Sequence, residues 1–167
     1  MSLSSIPIAD LRCMLAAEGW VDLGDGGEAK AELSQISPAL QSHPKVLEIR
    51  WRIGAKAKDW NQCAELGRAL AEAVPDQASG WINHAYALHE LKRTQEAWDV
   101  LSPLTERFPD VSTIPYNLAC YACQMGNLQL AELMLEVAMK IDGPQRIKAM
   151  ALKDTDLGPL WEKIRER

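Results

Sequence analysis

The chain has 167 residues, 47% of them apolar and 25% charged, the size and composition of an ordinary globular protein and not of a disordered or fibrous one. Eighteen Lys and Arg against twenty-three Asp and Glu leave a net charge of −5, the wrong sign for broad charge-driven binding to nucleic acid or anionic lipid. No run reaches the ~18–20 apolar residues of a membrane span, and the N-terminus lacks the charged and small-residue features of a secretory signal, so a cytoplasmic protein is expected.

Ala97 and Ala131 stand 34 residues apart in similar apolar patterns, and that period divides the chain into 10–43, 44–77, 78–111 and 112–145, with a tail at 146–167. In the first segment Ala17, Trp20, Ala29, Leu33 and Ile36 recur at helical spacing on either side of a Gly24-Asp25 turn. The second opens with Pro44, whose missing N–H costs nothing in the first turn of a helix, and closes at Pro75 after Leu47, Gly54, Cys63 and Leu70. Here Trp51 takes a place that is small in the other segments and Gly54 one that is mostly large, so one turn of the helix exchanges bulk with the next; Arg50 breaks the pattern without such a reason. The third segment is the most regular, with Trp81, Ala85, Leu88, Ala97, Leu101, Leu104 and Pro109 in register. The fourth carries Leu118, Ala119, Ala122, Ala131, Leu135 and Ala138 around a Gly126-Asn127 turn, and departs with Pro115 early in its first helix and Gly143-Pro144 at its end. In the tail, Leu157, Leu160, Trp161 and Ile164 share one face of a helix whose N-cap falls among Asp154, Thr155 and Asp156.

These residues resemble the tetratricopeptide repeat: Trp81, Ala85, Leu88, Ala97, Leu101, Leu104 and Pro109 occupy its positions 4, 8, 11, 20, 24, 27 and 32. The resemblance spans about 130 of the 167 residues. It implies one domain over 1–167, an all-α right-handed superhelix (α-solenoid) of about four helix pairs plus a C-terminal capping helix. Each pair has too little apolar face to stand alone, and stacking completes the core. Small residues at positions 8 and 20 let paired helices approach, and Trp81 is expected to be buried. The resemblance further implies a non-enzymatic module, without cofactor, that holds a partner protein or peptide in a concave groove formed by the first helices. Carried over position by position, the groove displays Lys45, Arg52 and Lys56 as a cationic step and Ile82, Tyr86 and Tyr116 as a floor, with His89 and Cys120 beside them. An acidic and apolar partner segment suits that set. Self-association by end-to-end stacking or exchange of the terminal helix is the alternative within the same class.

A different class would use Cys120 and Cys123, a C-x-x-C that on a helix shares one face, with His89 as a further ligand. The pair lies in mid-helix, without the strand and helix N-terminus that activate redox thiols and without a second C-x-x-C, so small groove-lining residues are the expected reading. Cys13 and Cys63 fall at packing positions, and four cysteines so spaced do not make a disulfide scaffold. Gly24-Asp25-Gly26-Gly27 has no preceding strand and no Lys-Ser/Thr after it, so it is a turn and not a phosphate loop. No H-E-x-x-H occurs among the three histidines.

Overall fold

The structure is a computed structural model and describes residues 6–166. The first five residues of the expected domain and Arg167 of the expected cap lie outside them. Every regular element among the described residues is helical: α1 (Ile8–Leu23), α2 (Gly26–Ser34), α3 (Pro44–Lys56), α4 (Trp60–Ala73), α5 (Ala78–Glu90), α6 (Thr94–Leu101), α7 (Thr113–Gln124), α8 (Leu128–Asp142), α9 (Pro144–Ala151) and α10 (Trp161–Glu166). Short 3-10 helices lie at Pro38–Leu40, Ser102–Leu104 and Thr155–Leu160. None of these helices is long and apolar enough to cross a membrane. The chain forms two compact units, one ending at His84 and the other starting at Ala85, so that the division falls within α5.

The turn between the two helices of a pair obeys the same rule in all four segments. Gly24, Lys58, Lys92 and Gly126, each 34 residues from the next, all have left-handed backbone, with φ of 87°, 56°, 63° and 81°. That conformation reverses the chain in the fewest residues, and glycine adopts it without the Cβ clash that any other residue meets. The residue after it is the N-cap of the second helix. The Asp25 carboxylate accepts from the Gly27 and Glu28 N–H groups at 3.1 and 3.0 Å, Asp59 from Gln62 N–H at 3.2 Å, and Asn127 from Leu130 N–H at 3.1 Å. Of these second helices α6 alone starts without a side-chain cap, at Arg93, whose guanidinium instead pairs with Glu96.

In the first unit α1 packs on α2 and α3 on α4, while α3 also meets α1 and α2. Its core joins Met14, Ala17 and Val21 of α1 to Ala29 and Leu33 of α2 and Val46, Ile49 and Ile53 of α3. The exchange of bulk in the second segment is realised: a Cβ on Gly54 would stand 2.9 Å from Cys63 Sγ, so the glycine makes room for the cysteine of the facing helix. Arg50 also finds its reason, since its guanidinium donates to the Gln41 carbonyl at 3.2 Å and to the Gln41 side chain. Gln41 in turn donates to Ile36 O at 2.6 Å, so the arginine ties α3 to the connection before it. At the N-terminus of α1, buried Asp10 accepts from Ser37 N–H at 2.7 Å and Ser37 Oγ at 3.0 Å. Between α4 and the start of α5 the backbones approach closely: a Cβ on Gly67 would lie 2.7 Å from His84 Cα, and one on Gly80 would be 2.7 Å from Ala71 Cα.

Two expectations need correction here. Trp81 is half-buried, not buried, because its indole N–H turns outward to donate to Pro75 O at 3.1 Å. The capping segment is not one helix, since Gly158 and Pro159 hold Thr155–Leu160 in a 3-10 helix before α10 begins at Trp161. Its apolar face is as the pattern required, with Leu157, Leu160 and Ile164 buried and the Trp161 N–H donating to Ala151 O at 2.9 Å.

In the second unit α7 packs on α8 and α6, α8 on α9, and the 3-10 helix Thr155–Leu160 against α7. Pro115 sits in the first turn of α7, where its absent N–H has no intrahelical partner to lose. Gly143, with φ of 85°, ends α8, and Pro144 opens α9.

Candidate functional site

Five first-helix positions of the second unit converge on one acidic turn of the same chain. Asp154 N-caps the 3-10 helix, its carboxylate accepting from Asp156 N–H at 3.0 Å, and this bond fixes both acids toward α5 and α7. Tyr116 Oη donates to Asp154 at 3.0 Å and Cys120 Sγ at 3.5 Å. His89 Nε2 lies 2.9 Å from Asp156 Oδ2, its Nδ1 lies 3.1 Å from Thr94 Oγ1, and its ring stands against that of Tyr121 with centroids 4.8 Å apart. Gln124 donates to the Asp156 carbonyl at 3.0 Å. Tyr86 completes the set from α5, beside Glu90. His89, Tyr116 and Cys120, expected on an open groove, are therefore covered, at 4%, 7% and 5% exposure. The turn that covers them is the part the sequence pattern offered only as a helix cap.

Beside this turn lies a polar pocket of about 300 Å³ walled by Tyr86, His89, Glu90, Lys92, Asn117, Cys120, Tyr121 and the acidic turn. Burial, assisted by Glu90, pushes the Tyr86 hydroxyl up to about 12. Burial likewise raises Tyr116 and Tyr121, so all three phenols are protonated donors at neutral pH. Cys120 is raised by burial and by Asp154, and Cys123 by burial and Asp156. Thiols held protonated in this way are poor nucleophiles and poor metal ligands, and no group of three or more His, Cys, Asp or Glu able to hold a metal occurs among the described residues. His89, considered above as a third ligand, is engaged by Thr94 and Asp156.

The first unit holds the remaining expected residues. Lys45 pairs with Glu18, Arg52 with Asp22 and, at 3.9 Å, with Glu18, and the Lys56 ammonium donates to the Val21 carbonyl. The cationic step thus fastens α3 to α1, with about a third of the Lys45 and Arg52 side chains still exposed, 34% and 33%. Ile82 is half-buried on α5.

No family model and no curated protein matches the chain. Among solved structures it is similar to that of a thermophilic tetratricopeptide-repeat protein of Thermus thermophilus, with 17% identity, a TM-score of 0.68, and coverage of 95% of this chain and 96% of that one. The likeness shows a tetratricopeptide-like fold, the one the 34-residue period implies.

Proposed function

We propose that the chain is a non-enzymatic scaffold that holds a segment of a partner protein against the first helices of its pairs. The observation that carries this reading is a polar pocket lined by Tyr86, His89 and Glu90 of α5, by Asn117, Cys120 and Tyr121 of α7, and by the acidic turn 154–156. Its α5 and α7 walls belong to the first helices of their pairs, and its one thiol, Cys120, is held protonated by burial and by Asp154 and is no activated nucleophile. The mechanism is preorganisation: helices locked by Ala97, Ala119 and Ala131, all fully buried, present fixed side chains, so little ordering cost falls on this partner. In the first unit Ile82 and the partly exposed Lys45, Arg52 and Lys56 offer a contact surface of their own, the cations exchanging Glu18 and Asp22 for the partner's acids. A photo-reactive phenylalanine analogue in place of Thr155, exposed at the pocket wall, tests the reading against the same group at exposed Glu106. Irradiation in native lysate should give protein adducts specific to position 155. Equal adducts at both positions, or none at 155, would count against it.

A second reading, self-association, has its own observation. Ile8, Leu15 and Leu23 lie along one side of α1 at 72%, 59% and 79% exposure, an apolar strip without a cover among the described residues. Light scattering during size exclusion decides this, because a mass that stays monomeric across a hundredfold concentration range removes it.

A further inference from the structure

The first unit holds a recess apart from Lys45, Arg52 and Lys56. It is bounded by Lys30, Leu33 and Ser34 of α2, Arg50 and Ile53 of α3 and Gln62 of α4, and it encloses about 230 Å³. Its walls are largely apolar, with Leu33 and Ile53 as the floor. Both charged residues that line it are cations, and no Asp or Glu lines it. Elsewhere in the same unit Lys45, Arg52 and Arg68 each face a carboxylate, of Glu18, Asp22 and Glu72. In a chain with a net charge of −5, two cations that share an apolar recess without an acid leave a place for an anion from outside.

A second observation concerns the donors themselves. Arg50 stands at position 7 of its repeat, where the fourth repeat carries buried Leu118, and is half-buried there. Its guanidinium is held by the Gln41 carbonyl at 3.2 Å and by the Gln41 side chain, both neutral acceptors. The charge is thus fixed in place but not neutralised, and the rest of the guanidinium fork is left to donate. Lys30 has no ion pair or hydrogen bond among the described residues, and neither has the Gln62 side chain. A fixed guanidinium, a free ammonium and a free amide around an apolar floor match a carboxylate with a hydrocarbon body. The head receives charge-assisted hydrogen bonds and the body is taken out of water.

We propose that this recess binds a small aliphatic carboxylate, its head between Lys30 and Arg50 and its chain on Leu33 and Ile53. The volume falls below the roughly 300–1,000 Å³ of sites that take drug-sized ligands, so a short, unbranched chain is the fitting guest. The site belongs to α2, α3 and α4, shares no residue with the polar pocket of the second unit, and does not depend on the scaffold reading.

The test is a titration of the full chain with hexanoate at low salt, followed by backbone amide NMR, with hexanol and hexylamine as the neutral and cationic controls of equal chain length. Saturable shifts at residues 30–34, 50–53 and 62 are expected with hexanoate. Affinity should be at least fivefold weaker for hexanol, and hexylamine should give no saturable shift at these residues. Lys30→Gln, a change at an exposed position that leaves the packing of α2 intact, should weaken hexanoate at least fivefold. No saturable shift at these residues overturns the proposal. Equal affinity for hexanol also overturns it, because the recess would then be an apolar dent without recognition of charge. Unchanged hexanoate affinity in Lys30→Gln does the same, as do shifts spread over lysines outside the recess.

Discussion

Single atoms decide packing at two positions with opposite sign. At Gly67 a methyl would meet the His84 backbone, which has no rotamer to move out of the way. Helix propensity favours alanine by about 1 kcal/mol, but overpacking costs about 1–3 kcal/mol where neighbours can yield, and here they are main chain. Gly67→Ala is expected to lower the unfolding free energy by about 2 kcal/mol in urea titration. Tyr121 is the converse: its ring packs on His89, but its buried hydroxyl has no partner. Tyr121→Phe keeps the ring and removes the unfilled group, so it is expected to stabilise the free protein by about 1 kcal/mol in the same assay. Of these two residues the sequence pattern assigned neither role. Gly67 stands where the other repeats carry leucine, and nothing local shows that another helix's backbone fills the space.

The helix pair is the level at which the amino-acid sequence is most readable. Helices begin at Pro44, Ala78 and Thr113, at or beside the first position of the last three 34-residue segments, because the same turn must recur within each pair. The requirement is local, a left-handed residue followed by a cap, so it leaves local marks in Gly24-Asp25 and Gly126-Asn127. The third pair breaks the rule at Arg93, and its second helix is also cut short at Leu101 by Pro103. Arg93→Asn should supply the missing acceptor and raise thermal stability by about 0.5–1 kcal/mol, since the exposed pair with Glu96 contributes little. Less readable was the tail, where the apolar spacing of Leu157, Leu160 and Ile164 fits a helix but Gly158-Pro159 imposes a tighter one.

Over the whole chain, long-range contacts set what the sequence concealed. Asp154 and Asp156 lie more than thirty residues from Tyr116, Cys120 and His89, and no periodicity relates them, so the covering of these first-helix positions emerges only with the fold. The same is true of Lys45 and Arg52, which the repeat register places on a surface and the fold pairs with Glu18 and Asp22. Buried acids that stay protonated also give the molecule an alkaline limit. Burial raises the Cys63 thiol from 9.0 to about 11 and the Tyr86 hydroxyl from 10.0 to about 12. The folded state therefore favours the protonated forms, a contribution complete below about pH 9 and lost as pH climbs through these values. Melting temperature should be level from about pH 7 to 8.5 and fall between about pH 9 and 12, earlier in wild type than in Cys63→Ala.

Lys58 and Lys92 take the left-handed place that glycine fills in the other two pairs, and both are exposed. Trypsin cleaves after lysine, and exposed turns are where nicking concentrates. The chain therefore carries a protease mark at the hinge of its second and third helix pairs and none in its first and fourth. Cleavage after Lys58 and Lys92 separates the two helices of a pair and leaves each helix whole, so brief digestion should read out the 34-residue period as the mass of the fragment 59–92.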